Sequence, residues 1–436
     1  MCIRDSYEGT NRMGKSRSAR WLPTWNVSGA WNAHEEKFFS NLTSVLSHFT
    51  LKASYSLTAD RGPADVTNSQ AIITSYSPYR PFTSIQESGL YIKELENSEL
   101  TYEKKHELNI GADMGFLNNR INLAVDWYKR NNYDLIGIVN TQGAGGQILK
   151  YANIASMKSH GIEFTLSTKN IKTKDFNWNT DFIFSNAKNE VTDLKQNANV
   201  MELISGNGFA KQGYPVRGLF SIPFVGLDKD GIPVIINEKG EATSTDINFQ
   251  ERQNTGFLKY EGPTDPTITG SLGNMFSYKG FRLNLFITYS FGNVIRLNPV
   301  FKAYYSDLTA MTREFKNRWT LPGDEAKTNV PAILSKRMYD SNEDLKYAYN
   351  AYNYSTERIA KGDFIRLKEI SLAYDFPKAW INPLKLTDLS LKVQATNLFL
   401  IYADDKLNGQ DPEFFNAGGV ASPVPRQFTI TLRLGL

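Results

Sequence analysis

Apolar and polar side chains alternate with period two along much of this chain. Residues Gln427 to Leu436 show it most plainly. Phe428, Ile430, Leu432, Leu434 and Leu436 fall on one face; Thr429, Thr431, Arg433 and Gly435 fall on the other. Such alternation sets every apolar side chain on one side of a β-strand. The pattern returns in Arg20–Asn32, Ser47–Ala59, Thr101–Gly115, Ile121–Leu135, Met157–Lys169, Phe176–Val191, Pro266–Tyr278, Phe281–Gly292, Phe364–Phe376 and Leu389–Phe399. Within Phe281–Gly292, Leu283, Leu285, Ile287 and Tyr289 oppose Arg282, Asn284 and Thr288. The spacing predicts about eleven strands, each long enough to cross a bilayer at a tilt. Little helix is expected beyond one turn around Glu36 to Leu42.

The connections between these strands alternate in length. Those at 33–46, 116–120, 170–175, 279–280 and 377–388 are short, and those at 60–100, 136–156, 192–265, 293–362 and 400–424 are long. Strands that run up and down then carry all the short links at one rim and all the long loops at the other. That is the arrangement of an outer-membrane β-barrel, with short periplasmic turns and long outer loops. A soluble sandwich would suit the last strand alone but gives no reason to sort loops by rim. Residues 60–100 and 293–362 read as irregular, and 136–156 as a Gly-rich loop. Inside 192–265, Phe224 to Ile236 reads as a hairpin turning at Asp228-Lys-Asp-Gly231.

Composition narrows the class further. The 436 residues are 41% hydrophobic and 22% charged, too rich in apolar side chains for disorder. No apolar run reaches the length of a membrane-spanning helix, and the mean hydropathy is −0.40. An alternating barrel wall averages to such a value. Aromatic residues make up 13%, in keeping with interfacial girdles. A net charge of +4 gives no argument for nucleic acid. Cys2 is the only cysteine, which rules out an internal disulfide. Met1 to Ser6 lacks the apolar stretch of an export leader, so acylation of Cys2 is not expected. The chain therefore reads as a piece of a longer protein.

Candidate chemistry is sparse. His34, His48, His106 and His160 show no zinc-ligand spacing with a carboxylate at hand. His160 and Glu163 fall on opposite faces of a strand. The Asp228–Gly231 turn has its glycine misplaced for a calcium loop, and Lys239 stands where such a loop needs Glu. Gly143-Ala-Gly-Gly146 does not match a phosphate-binding loop. No catalytic, metal or cofactor site is predicted, and the chain does not read as an enzyme. The loop aromatics Tyr304, Tyr305 and Trp319 are candidates for stacking on a sugar ring, or else pack within their loops.

Several short stretches resemble one family. They are Tyr7-Glu-Gly-Thr10, Phe116-Leu-Asn-Asn-Arg120, Gly161-Ile-Glu163, Ser277-Tyr-Lys-Gly-Phe281, Arg318-Trp-Thr320 with Pro322-Gly323, and Phe364-Ile-Arg-Leu-Lys-Glu-Ile370. Ala395-Thr-Asn-Leu-Phe399, Gly409-Gln-Asp-Pro412 and Pro425-Arg-Gln-Phe-Thr429 complete the set. In this order and spacing they resemble the C-terminal barrel of SusC/RagA-type TonB-dependent transporters. The resemblance implies an all-β fold, an antiparallel up-and-down transmembrane barrel of roughly 22 strands, of which this chain would supply about half. Residues 7–436 would form that half; residues 1–6 do not match and read as a non-native start. The plug domain and the TonB-contacting segment would lie outside the chain. The resemblance also implies an outer-membrane location, energy from the TonB complex, a SusD-like surface lipoprotein as partner and uptake of oligosaccharides or peptides. Phe428, Ile430, Leu432, Leu434 and Leu436 would serve as a membrane-insertion signal, although the family often ends on an aromatic. A passive porin and a soluble β-rich glycan-binding or adhesion protein remain the rival readings.

Overall fold

The computed structural model describes residues 2–11, 21–60, 62, 71–78, 88–143, 148–300, 312–415 and 425–435. Twelve strands form one antiparallel sheet in sequence order. They are β1 (Cys2–Asn11), β2 (Trp21–Asn32), β3 (Leu46–Asp60), β4 (Glu103–Phe116), β5 (Ile121–Asn140) and β6 (Leu149–Lys172). β7 (Phe176–Leu194), β8 (Ile268–Tyr278), β9 (Phe281–Phe291), β10 (Phe364–Asp375), β11 (Asp388–Ala403) and β12 (Gln427–Gly435) follow. All eleven alternating segments are strands of this sheet. The twelfth, β1, was not read from the sequence, and it gives the strand that follows Arg20 a neighbour. β1 pairs with β2 along its whole length, from Cys2 opposite Ala30 to Asn11 opposite Trp21. The sheet is open, with β1 and β12 at its edges.

The register keeps one face apolar across the wall. Ile110 stands opposite Trp127, Trp127 opposite Ile162, Phe164 opposite Phe184, Leu272 opposite Ile287, Leu283 opposite Leu372 and Val393 opposite Ile430. A slip of one residue in any ladder would turn that strand's apolar set to the other side. Leu283, Leu285, Ile287 and Tyr289 share the apolar, lipid-side face, as their alternation predicts. Arg282, Asn284 and Thr288 share the polar face. On that polar face Lys52 pairs with Asp113 at 2.9 Å, Arg130 with Glu107 at 3.2 Å and Arg282 with Asp375 at 2.9 Å.

Aromatic rings gather where the apolar face meets the short-turn rim. Trp178 stacks on Phe276 at 5.6 Å, and Phe281, Tyr374, Phe376 and Trp380 form a chain of ring contacts. Rings at this level suit a membrane interface. Higher up, the Tyr289 hydroxyl donates to the Ile183 carbonyl at 2.9 Å across the intervening Gly270. A Cβ on Gly270 would collide with that carbonyl and with the Tyr289 ring.

The short links behave as predicted. Leu117, Asn118 and Asn119 take left-handed φ values of 52°, 55° and 57°, and Lys279-Gly280 makes a two-residue turn. A short 3-10 helix at Lys37–Asn41 fills the turn foreseen around Glu36 to Leu42. Some loop boundaries need correction. β5 and β6 continue through most of 136–156, pairing Ile136 with Asn153 and Asn140 with Leu149, which leaves a connection of 141–148. The 60–100 segment holds a hairpin, Ile72–Tyr76 with Gly89–Glu94. Similarly β11 runs on to Ala403.

Arginine placed at Leu285 is expected to destabilise the assembled barrel by about 2–4 kcal/mol, the penalty for a cation on the lipid face near the midplane. Arginine at the adjacent Asn284 is expected to cost far less. Urea titration of the complete, membrane-inserted protein, read by loss of its heat-modifiable folded band, measures both; equal penalties would overturn the assignment of faces.

Candidate binding surface at the loop rim

Among the described residues, the connections at 195–267 and 292–363 are not irregular. Together they build a small packed unit above β7–β10. The helix Val200–Ile204 opens it, its first turn closed by a capping box between Asn199 and Glu202. Val200, Leu203, Ile204, Phe220, Ile222, Ile235 and Ala351 are all buried in one apolar cluster. Residues from both connections contribute, so neither can fold fully without the other. The predicted hairpin is present: Phe224–Leu227 pairs with Pro233–Ile236, and the Asp228 carboxylate accepts from the Asp230 and Ile232 amides at 2.9 Å each. The turn is thus held by its own side chain.

Arg296 locks the two connections together. Its Nη1 donates to the Ser355 carbonyl at 2.9 Å, and its Nη2 donates to the carbonyls of Phe220 at 2.6 Å and Ile204 at 3.2 Å. These three carbonyls come from segments far apart in sequence. Burial pulls the Arg296 guanidinium down to about 9, with Glu261 and Tyr354 opposing, so it stays charged at neutral pH. Beside it, Ile222 bridges to Ser355: the Ile222 amide donates to the Tyr354 carbonyl, and Thr356 donates back to Ile222. Arg358 is buried too, paired with Glu314 and donating to the Asn298 carbonyl at 2.6 Å.

The third long connection, 404–426, is tied to the wall by another buried arginine. Arg366 on β10 meets Asp411 at 2.5 Å and Glu413 at 3.2 Å. A bulge aims it. Between β9 and β10 the register shifts, so that Phe286 faces Glu369 while Ile287 faces Leu367, leaving Lys368 as the extra residue. Strict alternation from Ile370 would have turned Arg366 towards lipid. The shift puts Leu367 and Ile365 on that face and Arg366 inside. Leu407, from the same connection, packs with Ile295, Leu297 and Ala360.

Among the residues singled out from sequence, Trp319 lies in this unit. Its indole N–H donates to the Glu325 carboxylate at 2.9 Å, and a Cβ on Gly231 would fall 2.5 Å from its ring. The ring therefore supports the Asp228–Gly231 turn. Tyr304 and Tyr305 lie outside the described residues, as does Leu436. Phe428, Ile430, Leu432 and Leu434 are exposed along the lipid-side face of β12. Two histidines read as unrelated meet at the short-turn rim, where the rings of His34 and His48 lie 4.2 Å apart. No cluster of three or more metal-ligating side chains occurs among the described residues. Sequence reading missed Arg296, Arg358 and Arg366. The motif residues around Arg366 and Asp411 were the one available signal.

Replacing Arg296 by Met strips three buried carbonyls of their donor, each costing about 1–3 kcal/mol. The expected outcome is faster amide exchange and proteolysis throughout 195–267 and 292–363, with the heat-modifiable barrel retained. Unchanged exchange in both segments would overturn the locking role.

No protein-family profile matches the chain. It is similar to curated receptors and to solved structures. It is 24% identical over 426 residues to TonB-dependent receptor P3 of Formosa agariphila, a match covering 93% of this chain and 39% of that receptor. With the TonB-dependent receptor SusC of Bacteroides thetaiotaomicron the identity is 26% over 457 residues, covering 99% of this chain and 41% of SusC. The structure of the RagAB peptide importer in its open-open state aligns with a TM-score of 0.77 at 23% identity, over 100% of this chain and 45% of the solved one. At that identity the structural likeness establishes the fold. The chain spans about two fifths of the length of the curated relatives it matches. Those relatives are receptors rather than enzymes, and an open sheet with one apolar face fits part of such a barrel. Along nearly its whole length the chain is thus similar to TonB-dependent receptors, SusC among them, and its sheet is part of the wall of such an outer-membrane β-barrel.

Proposed function

We propose that this chain forms the wall and outer mouth of an active importer for bulky polar nutrients, oligosaccharides or peptides, driven through the TonB complex and closed from outside by a SusD-like lipoprotein. The observation that carries this reading is the packed loop unit on one rim, held by Arg296 above a polar-faced wall. An ordered outer surface recognises a large ligand at lower entropic cost than free loops would. The likeness to SusC and to a peptide importer along nearly the whole chain supports the same reading. Tyr304 and Tyr305 remain proposed substrate contacts, and Trp319 is proposed to act by holding the Asp228–Gly231 turn. The alternating face of β12 is proposed as the assembly signal of the barrel.

Because 195–267 and 292–363 share one core, deletion of 292–363 alone would strand Phe220 and Ile222 without cover. Both connections should be replaced together by short turns in the complete receptor. Uptake of labelled oligosaccharides and peptides by whole cells is expected to fall to background while the barrel still inserts. Parental uptake by the inserted double deletion would place substrate recognition elsewhere. Persistence of uptake in cells lacking TonB would instead favour a passive pore.

A further inference from the structure

Some cations on this wall have acids beside them: Lys158 pairs with Glu190 at 3.0 Å, and the polar face carries Lys52–Asp113, Arg130–Glu107 and Arg282–Asp375. Others do not, and in one row basic side chains without an ion pair stand side by side. Lys129 on β5 stands directly opposite His160 on β6, and His160 stands directly opposite Lys188 on β7. All three are exposed. Among the described residues no carboxylate forms an ion pair with any of them.

The row sits on the apolar face. Lys129 shares the parity of Trp127, His160 that of Ile162, and Lys188 that of Phe184. It lies one step beyond Trp127, Ile162 and Asn186, towards the long loops, where the apolar band ends and headgroups begin. The next row out on this face is Asn131, Lys158 and Glu190, whose last two pair with each other. Cross-strand neighbours stand roughly 5 Å apart at Cβ, so two lysines and an imidazole N–H converge over a span of about 10 Å. The two ammonium groups flank the imidazole from either side, so one anion seated over His160 could meet all three side chains. The Lys129 stem can lie along Trp127 and lift its ammonium group to the interface. Lysine is a strong phosphate binder, and three donors across such a span match one phosphate ester. A dissolved anion would have to leave bulk water for the barrel's lipid side, whereas a lipid headgroup is already there.

We propose that Lys129, His160 and Lys188 bind the phosphorylated headgroup of an outer-leaflet lipid. The inference rests on the assignment of the lipid-side face and is independent of what the barrel imports. A bound lipid would screen the row and brace β5–β7 where they leave the membrane to continue as free-standing strands.

The complete receptor, extracted from outer membranes in mild detergent, should retain phosphorylated lipid when weighed by native mass spectrometry. The pair Lys129→Gln with Lys188→Gln should lose that lipid while keeping the heat-modifiable fold. The pair Lys172→Gln with Lys174→Gln, at the opposite rim, should keep it, as should Lys129→Arg with Lys188→Arg. If the double glutamine variant does not assemble, each single variant should retain severalfold less lipid than the parent. Retention equal to the parent in the glutamine variants would overturn the proposal. Displacement of the lipid by millimolar inorganic phosphate would also overturn it, marking the row as a free-anion site.

Discussion

In hydrocarbon, a backbone N–H or C=O without a partner has no water to turn to, and every strand must find both neighbours. The rest of this structure depends on that requirement. It makes the chain run as a meander in which each strand pairs with the next, and it leaves side-chain parity as the sole variable separating lipid from lumen. From β2 to β12 the ladders of the wall keep apolar residues in phase from strand to strand. Where a ladder slips, the slip has a use. The extra residue at Lys368 preserves the lipid-side face with Leu367 and Ile365 and turns Arg366 inwards to Asp411. One inserted residue reconciles two demands that strict alternation would set against each other.

Membrane strands were legible because the bilayer imposes period two on them. β1 escaped notice because Cys2 to Asn11 carries almost no alternation, and only its pairing with β2 reveals it. The upper ends of β5 and β6 were taken for loop for a related reason. Beyond the bilayer nothing enforces an apolar face, and Gly137, Gly143 and a bulge with Asp134 in a left-handed conformation obscure the remaining pattern. Loop placement was visible from lengths alone. Loop structure was not, since Ile222 and Ala351 share a core across more than a hundred residues of chain. No local periodicity can encode such a contact.

The arginines follow the same division. Arg366 and Asp411 each lay within a stretch that resembles the family, yet the resemblance gave no reason to pair them. Their contact needs the bulge, and a bulge is invisible to a periodicity that assumes its absence. Arg296 lay in no such stretch. Its role comes from three carbonyls that the tertiary fold gathers around it, one at the end of the helix Val200–Ile204, one on the short strand Gly218–Ser221 and one at Ser355. A guanidinium suits it because its planar fork donates in several fixed directions at once.

Wall and loops are joined over very short lengths of chain. Only two residues separate β9 from the strand Val294–Arg296, and two separate Ile359–Lys361 from β10. Those two short strands pair with each other, so the wall's own ladder is in effect resumed outside the membrane. The junction is pinned as well: the Gly292 amide donates to the Asp363 carboxylate at 2.6 Å, and the Gly362 amide donates to the Asn293 carbonyl at 2.9 Å. Arg296 is the last residue of one of these strands. The guanidinium that organises the loop core is therefore carried on an extension of the barrel, and the loop unit takes its position from the wall. A surface mounted in this way is held by strands and a packed core rather than by long free connections. If it takes the large polar ligand proposed above, it would do so without the ordering cost that free loops carry.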